Sequence, residues 1–212
     1  MRSPILYRLD TTNKKMIRNI CVFLIALFSF RCSSRKVEIT DVPDIKGKLL
    51  NSDSVRLRSI AKNKLTVVNV WGIFCGPCMK ELPIIQNVYE KYNNHKGFAF
   101  ITIAMDNEKE LNRFLNAPDT TDPYRKMFLY SGIKHFSLPT LAYLPNGYTH
   151  MYGGYAIVKD LLKFRTLARM INSNAVPTTL IYNSTGKLVF KQIGSFDNDQ
   201  LLKHEIDSLL SL

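Results

Sequence analysis

The chain has 212 residues, of which 46% are hydrophobic and 22% are charged. This length is sufficient for one well-buried core and too short for two full domains, so we expect one domain preceded by a targeting segment. The formal charge is +12, and without residues 1–31 it is +7, from 23 Lys/Arg and 16 Asp/Glu. The positive charges form no run of five or more, so the sequence does not indicate a nucleic-acid partner.

An apolar run near the N-terminus has the features of an export signal. Residues 20–30 are almost entirely apolar and follow Lys14, Lys15 and Arg18. This run is too short to span a bilayer, which needs about 20 residues, and it matches the apolar part of a signal peptide. We predict a signal segment over residues 1–31, a linker over 32–39, and export to the periplasmic side of the cell envelope. An uncleaved signal anchor is the alternative.

Cys32 follows this apolar run directly, with small serines after it. Its position resembles that of the lipid-modified cysteine of a bacterial lipoprotein, although Ser29-Phe30-Arg31 departs from the usual leucine and small residues. Cys32 is therefore a candidate lipidation site. We expect the protein to be tethered to the membrane, through this lipid or through a signal anchor.

The first half of the domain, from residue 40, alternates between strand and helix patterns. Alternating polar and apolar residues within 37–60 predict a short β-hairpin. Runs of β-branched and apolar residues predict two buried strands, and apolar residues at three- and four-residue spacing predict a helix after each. These elements are the strands 65–71 and 98–105 and the helices 75–92 and 107–116, with Pro83 as an expected kink.

The second half opens with a loop at 117–123 that is rich in Pro, Asp and Thr. Further elements follow in order: an apolar segment at 137–144, a turn at 145–147, a helix at 158–171, strands at 178–182 and 188–193, and a helix at 200–210. Strands and helices thus alternate along most of the domain. This alternation predicts an α/β fold in which helices cover a central sheet.

Cys75 and Cys78 are the only cysteines beyond the N-terminal segment, which holds Cys21 and Cys32. They lie where a predicted strand passes into a helix. Backbone N–H groups and the helix dipole favour an anion there, so Cys75 is the expected nucleophile and Cys78 the resolving thiol. A zinc site would need a second pair of ligands, and haem attachment would need a histidine in place of Met79. A purely structural disulfide remains open.

The segment 70–83, VWGIFCGPCMKELP, resembles the active-site segment of thioredoxin-fold proteins. With the export signal and the strand end at Asp106, the chain is most similar to the TlpA/ResA-like branch of thiol–disulfide oxidoreductases. The resemblance covers about residues 40–212. It implies a three-layer sandwich with a mixed central sheet, helices on both faces, an N-terminal β-hairpin extension and a lengthened region at about 118–160.

Glu81 lies one helical turn after Cys78 on an otherwise apolar face. A carboxyl group there is partly desolvated and inclined to hold a proton, which it could exchange with Cys78. The resemblance implies the same role, because the TlpA/ResA branch carries a glutamate here, whereas thioredoxin keeps its buried acid at the place of Asn69. The alternative is a solvated glutamate paired with Lys80 or Lys91.

The resemblance also implies a cis-proline beside the disulfide, preceded by a residue whose backbone pairs with a substrate strand. Val176 and Pro177 resemble that loop and are the predicted substrate-binding pair. Pro139 is the rival, since it lies 64 residues from Cys75, compared with 102 for Pro177. Choosing Pro139 would leave the last hairpin and helix without a role. A trans proline at a strand start is the alternative for both.

Four residues around the cysteines complete the predicted substrate-binding set. Gly76 and Pro77 lie between the two cysteines, where proline suits the opening of a helix. Trp71 and Phe74 precede the motif. Trp71, the only tryptophan of the chain, is expected to pack beneath the active site.

These residues predict an enzyme that exchanges electrons with protein disulfides. The Gly-Pro pair resembles that of thioredoxin and favours the reducing direction, and the resemblance implies cytochrome c maturation as one role. We expect protein dithiol or disulfide substrates, a membrane electron donor, a monomer, no metal, and no cofactor beyond the Cys75–Cys78 disulfide. One alternative is a thiol peroxidase, whose signature places threonine where this chain has Gly72. A cell-envelope binding module that uses the thioredoxin groove is the other.

Overall fold

The computed structural model describes residues 41–50, 53–116, 123–133, 135–146, 148–152, 155–158 and 160–211. These residues all belong to one compact unit, Glu38–Leu212. The predicted signal segment 1–31, the linker 32–39 and the candidate lipidation site Cys32 lie outside the described residues.

A mixed sheet of seven strands forms the centre of the described structure. The strands are β1 (Lys46–Leu49), β2 (Ser54–Arg56), β3 (Leu65–Trp71), β4 (Phe98–Ala104), β5 (Thr140–Ala142), β8 (Thr178–Tyr182) and β9 (Leu188–Ile193), while β6 (Tyr148–Tyr152) and β7 (Tyr155–Val158) form a separate hairpin. The order in the sheet is β2-β1-β5-β4-β3-β8-β9. Strands β3, β4 and β5 are parallel, and the other neighbours are antiparallel.

Helices cover both faces of this sheet, which confirms the predicted three layers. They are α1 (Leu57–Ile60), α2 (Gly76–Tyr92), α3 (Glu108–Asn116), α4 (Pro123–Tyr130), α5 (Leu161–Met170) and α6 (Gln200–Leu210). One apolar core includes residues of α2, α3, α4 and α6. The second core includes residues of α1 and α5. The sheet is therefore buried between two helical layers, as an α/β fold requires.

Strand β3 is buried along its whole length, because each face packs against a different core. Val67 and Trp71 belong to the core under α2, whereas Val68 and Val70 belong to the opposite core. Side chains alternate between the faces of a strand, so Asn69 lies on the α2 side with Val67 and Trp71. The strand ends at Trp71, and the cysteine pair follows at once.

Three departures from the predicted elements involve helices. Residues 57–58 belong to α1 and not to a strand, because Leu57 turns into the core and its carbonyl accepts the N–H of Ala61. Residues 123–130 form α4, which the sequence analysis did not predict, although Pro123 suits a first helical position. The helix expected at 158–171 is shorter and spans Leu161–Met170.

Substitution of Ile103 tests how much packing in the central sheet contributes to the free energy of unfolding. Its side chain is fully buried in β4, where it pairs with Val70 on one side and Leu141 on the other. We expect Ile103→Ala to lower the free energy of unfolding by about 2–5 kcal/mol, because it leaves a cavity in a packed core. Urea unfolding of the oxidised protein measures this change.

The matched control is Ile193→Ala, since Ile193 in β9 is 52% exposed. We expect this variant to lose less than about 1 kcal/mol. Equal losses in the two variants would contradict the assignment of Ile103 to the core.

Candidate active site

The cysteine pair lies at the junction of β3 and α2. The N–H of Cys75 donates to the carbonyl of Gly72 at 3.0 Å, which closes a turn between the strand and the helix. Cys75 is the N-cap of α2, and its sulfur forms a disulfide with Cys78, with 2.09 Å between the sulfur atoms. The N–H of Cys78 points at the Cys75 sulfur, 3.2 Å away. The site is thus built on the first turn of a helix.

This position favours negative charge on Cys75. The sulfur faces a backbone N–H and the positive end of the dipole of α2, and the first turn of that helix carries no acidic residue. The two cysteines also differ in accessibility, since Cys75 is 7% exposed and Cys78 is 1% exposed. Pro77 is exposed and Gly76 is half-buried, so the loop around Cys75 forms the open side of the site.

Val176 lies beside Cys75, although 101 positions separate the two residues. Its carbonyl oxygen is 3.6 Å from the Cys75 sulfur, and the Val176–Pro177 peptide bond is cis. Side-chain hydrogen bonds stabilise this loop. The Ser173 hydroxyl lies 3.0 Å from the Thr178 hydroxyl, and Thr178 donates to the carbonyl of Ala175 at 2.7 Å.

Pro139, the rival proline, lies at the start of β5. Its carbonyl accepts the N–H of Thr102 at 2.8 Å, so it continues the pairing between β5 and β4. Among the described residues, Val176–Pro177 is the only cis peptide bond. Pro139 therefore has the place of a proline at a strand start.

Glu81 lies in α2, three residues after Cys78, and 1% of its surface is exposed. Burial raises its pKa to about 8, and hydrogen bonding with the Asn69 side chain and the Phe196 backbone partly offsets this rise. Its Oε1 atom has no hydrogen-bond partner among the described residues. The alternative of a solvated glutamate paired with a lysine is wrong, because Glu81 is buried and Lys91 pairs with Asp207.

Asn69 connects the Glu81 region to the strand that follows the proline loop. Its side-chain amide donates to the hydroxyl of Thr179 at 3.0 Å, and both residues are buried. Thr179 lies in β8, directly opposite Asn69 in the antiparallel register. Thr179 could not be predicted from the sequence, because the pairing of β3 with β8 has no local signal.

Trp71 and Phe74 have different places in the structure. Trp71 is fully buried in the core that also contains Cys75 and Cys78, so the prediction that it contacts substrate is wrong. Phe74 is half-buried and packs over Gly72, where an added Cβ would lie 2.4 Å from the Phe74 ring. A threonine at position 72, as in thiol peroxidases, would therefore displace this ring.

Asp106 is a buried carboxylate that the sequence analysis did not assign to the site. It accepts the backbone N–H of Ile73, two residues before Cys75, at 2.9 Å. Its place in the sequence was informative, because Asp106 closely follows a buried strand. Such an acid lies at the edge of the sheet where the neighbouring parallel strand also ends. The register of β3 against β4 was needed to bring Asp106 to that loop.

In the described part of the chain, no group of three or more His, Cys, Asp or Glu side chains could hold a metal ion. Within the same ranges, no helix has the length and apolar content that crossing a bilayer requires.

Known proteins resemble the chain in both sequence and fold. The Redoxin family model matches residues 39–210. The thiol-disulfide oxidoreductase ResA of Bacillus cereus is 28% identical over 160 residues, which are 76% of this chain and 69% of ResA. The thioredoxin-like protein YneN of Bacillus subtilis is 29% identical over 83 residues, which are 38% of this chain and 48% of YneN.

Two solved structures support the fold alone. A thiol:disulfide interchange protein of the thioredoxin family from Chlorobium tepidum TLS has a TM-score of 0.53 and 16% identity, and the match covers 82% of this chain and 98% of that one. A DsbF homologue from Corynebacterium diphtheriae has a TM-score of 0.52 and 22% identity, and the match covers 85% of this chain and 99% of the homologue.

The mixed sheet, its two helical layers and the Cys75–Cys78 disulfide at a helix N-terminus define a thioredoxin-fold protein with a CxxC redox site. The chain belongs to the Redoxin family. With the ResA relatives, this membership confirms the expected resemblance, and the protein is a thiol–disulfide oxidoreductase.

The raised pKa of Glu81 predicts a pH dependence of stability. The ordinary pKa of this group is 4.5, and in the folded protein it is about 8. Below the lower value both the folded and unfolded states hold the proton. As pH rises between the two values, only the unfolded chain releases the proton freely, so Glu81 lowers stability progressively. Glu81→Gln does not titrate and should escape this loss.

We expect the stability of Glu81→Gln relative to wild type to rise by at least about 2 kcal/mol between pH 5 and pH 8. Urea unfolding of both oxidised proteins at each pH measures this difference. Glu90→Gln, on the exposed side of the same helix, is the matched control and should show no such trend. A constant difference between Glu81→Gln and wild type would contradict the assignment.

Proposed function

We propose that the protein reduces disulfides in protein substrates, with Cys75 as the attacking thiol and Cys78 as the resolving thiol. The observation that carries this assignment is the position of the Cys75 sulfur. It is the more exposed of the two, it faces the N–H of Cys78 at the start of α2, and the Val176 carbonyl lies beside it. Attack by the accessible thiolate and resolution by the buried one follow from this difference.

The reaction transfers two electrons in two exchange steps. The Cys75 thiolate attacks one sulfur of the substrate disulfide, forms a mixed disulfide and releases the other substrate sulfur as a thiolate. The Cys78 thiolate then attacks the Cys75 sulfur of the mixed disulfide. This second step forms the Cys75–Cys78 disulfide and releases the second substrate thiolate, so the substrate is reduced and the enzyme is oxidised.

Glu81 supplies the proton acceptor for the second step. Cys78 must lose its proton before it attacks, and Glu81 lies three positions further along α2 on the same helical face. Its pKa of about 8 is close to the ordinary thiol value of about 8.5, so proton transfer between the two groups is nearly balanced. The Oε1 atom without a hydrogen-bond partner is available to receive this proton.

Val176 and Pro177 present the substrate next to Cys75. The Val176 carbonyl beside the sulfur can accept a backbone N–H from an extended substrate segment, as a strand edge does. Phe74, Gly76 and Pro77 form the accessible rim of the same site. These contacts involve mainly the backbone, so they suit peptides of varied sequence.

The reducing direction, the location and the partners are parts of the same proposal. The Gly-Pro pair between the cysteines and the ResA relatives support a reductase that a membrane electron donor returns to the dithiol form. The apolar run before Cys32 supports export and a membrane tether, through lipid or a signal anchor. A role in cytochrome c maturation accords with these features. All groups of the site come from one chain, so a monomer is sufficient.

Variants of the two cysteines test their separate roles. We expect Cys75→Ser to reduce insulin disulfides no faster than the uncatalysed reaction, because it lacks the attacking sulfur. We expect Cys78→Ser to form a stable mixed disulfide through Cys75, because the resolving thiol is absent. Turbidity of reduced insulin and mass spectrometry of the adduct measure these outcomes.

Cys21→Ser and Cys32→Ser, placed in the Cys78→Ser background, are the controls and should retain the adduct. Insulin reduction by Cys75→Ser at the wild-type rate would exclude Cys75 as the nucleophile.

Glu81→Gln tests the proton transfer. We expect resolution of a Cys75–glutathione mixed disulfide at pH 7 to slow by about 10²-fold, because glutamine cannot accept the proton of Cys78. Above the thiol pKa Cys78 ionises without help, so the difference from wild type should become smaller. Stopped-flow release of glutathione measures the rate, and Glu90→Gln is the matched control. Equal rates in wild type and Glu81→Gln at pH 7 would refute this role.

A further inference from the structure

Asp106 is a buried carboxylate that the reaction described above does not use. It follows β4 by two residues, and none of its surface is exposed. Its Oδ2 atom accepts the backbone N–H of Ile73 at 2.9 Å. Its Oδ1 atom has no hydrogen-bond partner in the described part of the chain.

Ile73 belongs to the turn that carries the reactive cysteine. The hydrogen bond from Cys75 N–H to the Gly72 carbonyl closes this turn around Ile73. Just before the turn, the N–H of Met105 donates to the carbonyl of Trp71 at 2.9 Å. The segment after β4 therefore holds the end of β3 and the turn that follows it, and the Asp106 side chain provides the contact to the turn.

Stability alone does not explain an acid at this place. Burial raises the pKa of Asp106 to about 7, the Ile73 N–H lowers it, and the charge of Glu110 raises it further. The Oε2 atom of Glu110 is also buried and lacks a hydrogen-bond partner among the described residues. A buried carboxylate with one N–H donor is less favourable than a neutral acceptor of the same shape. A role in the site accounts for such a residue better than packing does.

We propose that Asp106 is a positioning residue of the dithiol site, because its hydrogen bond to the Ile73 N–H fixes the Gly72–Cys75 turn and thereby the direction of the Cys75 sulfur. A buried N–H without an acceptor tends to shift toward water or another partner. Such a shift would move Cys75 away from the N–H of Cys78 and from the Val176 carbonyl. The inference rests on the proposed role of Cys75 as the attacking thiol.

The experiment measures how fast the reduced full-length protein attacks oxidised glutathione, in a Cys78→Ser background that retains the mixed disulfide. Circular dichroism confirms that each variant is folded at the temperature used, and mass spectrometry identifies the modified cysteine. We expect Asp106→Leu to react at least about tenfold more slowly, because small misplacements of a reacting group have large effects on rate. Asp106→Asn keeps an oxygen acceptor and should remain within about threefold of the parent.

Tyr92→Phe is the control for a purely structural effect. The Tyr92 hydroxyl donates to Asp207 at 2.6 Å, and this hydrogen bond joins α2 to α6 away from the cysteines. This variant should be less stable and yet attack glutathione at the parent rate. If Asp106→Leu does not fold, Asp106→Ala replaces it with the same expected loss.

Two results would overturn the inference. One is a folded Asp106→Leu or Asp106→Ala that reacts at the parent rate, and the other is an Asp106→Asn that loses as much as Asp106→Leu, which would show that the charge and not the acceptor matters. A parent protein that does not form the glutathione adduct on Cys75 would instead refute the proposed function.

Discussion

The junction between β3 and α2 is the constraint on which the site depends. Strand β3 is buried on both faces and pairs with β4 and β8 along its two edges, so core packing and hydrogen bonds together fix its position. Helix α2 begins five residues after the end of this strand, at Gly76, with Cys75 as its N-cap. The Cys75 sulfur therefore faces the N–H of Cys78 and the positive dipole end of a helix. Both features of the backbone favour the thiolate form of Cys75.

Two buried acids complete this arrangement. Glu81 and Asp106 each have less than 2% of their surface exposed, and burial raises the pKa of both. Each leaves one oxygen without a hydrogen-bond partner among the described residues. An apolar core does not retain such groups for stability. Their places differ: Glu81 belongs to the helix that carries Cys78, whereas Asp106 contacts the turn that carries Cys75, so their functions can be separated by substitution.

The sequence predicted the parts of the site that depend on local patterns. The apolar run of β3, the helical spacing of α2 and the cysteine pair between them lie within 28 residues, Leu65–Tyr92. The same spacing predicted that Glu81 faces the core. Contacts across the sheet could not be predicted from the sequence, because the pairing of Asn69 with Thr179 and the approach of Asp106 to Ile73 depend on strand register. The short helices α1 and α4 were missed, because four and eight residues give little periodic signal.

The register between β3 and β8 also explains how the Val176–Pro177 loop and Glu81 are connected. Asn69 and Thr179 are direct partners across these strands, and the amide of Asn69 interacts with both Thr179 and Glu81. Thr179 follows the Val176–Pro177 bond by two residues. Asn69 therefore links the strand that follows the Val176–Pro177 bond to the Glu81 carboxyl. A shift of a single residue in this pairing would turn Asn69 away from Thr179 and break the link between that strand and Glu81.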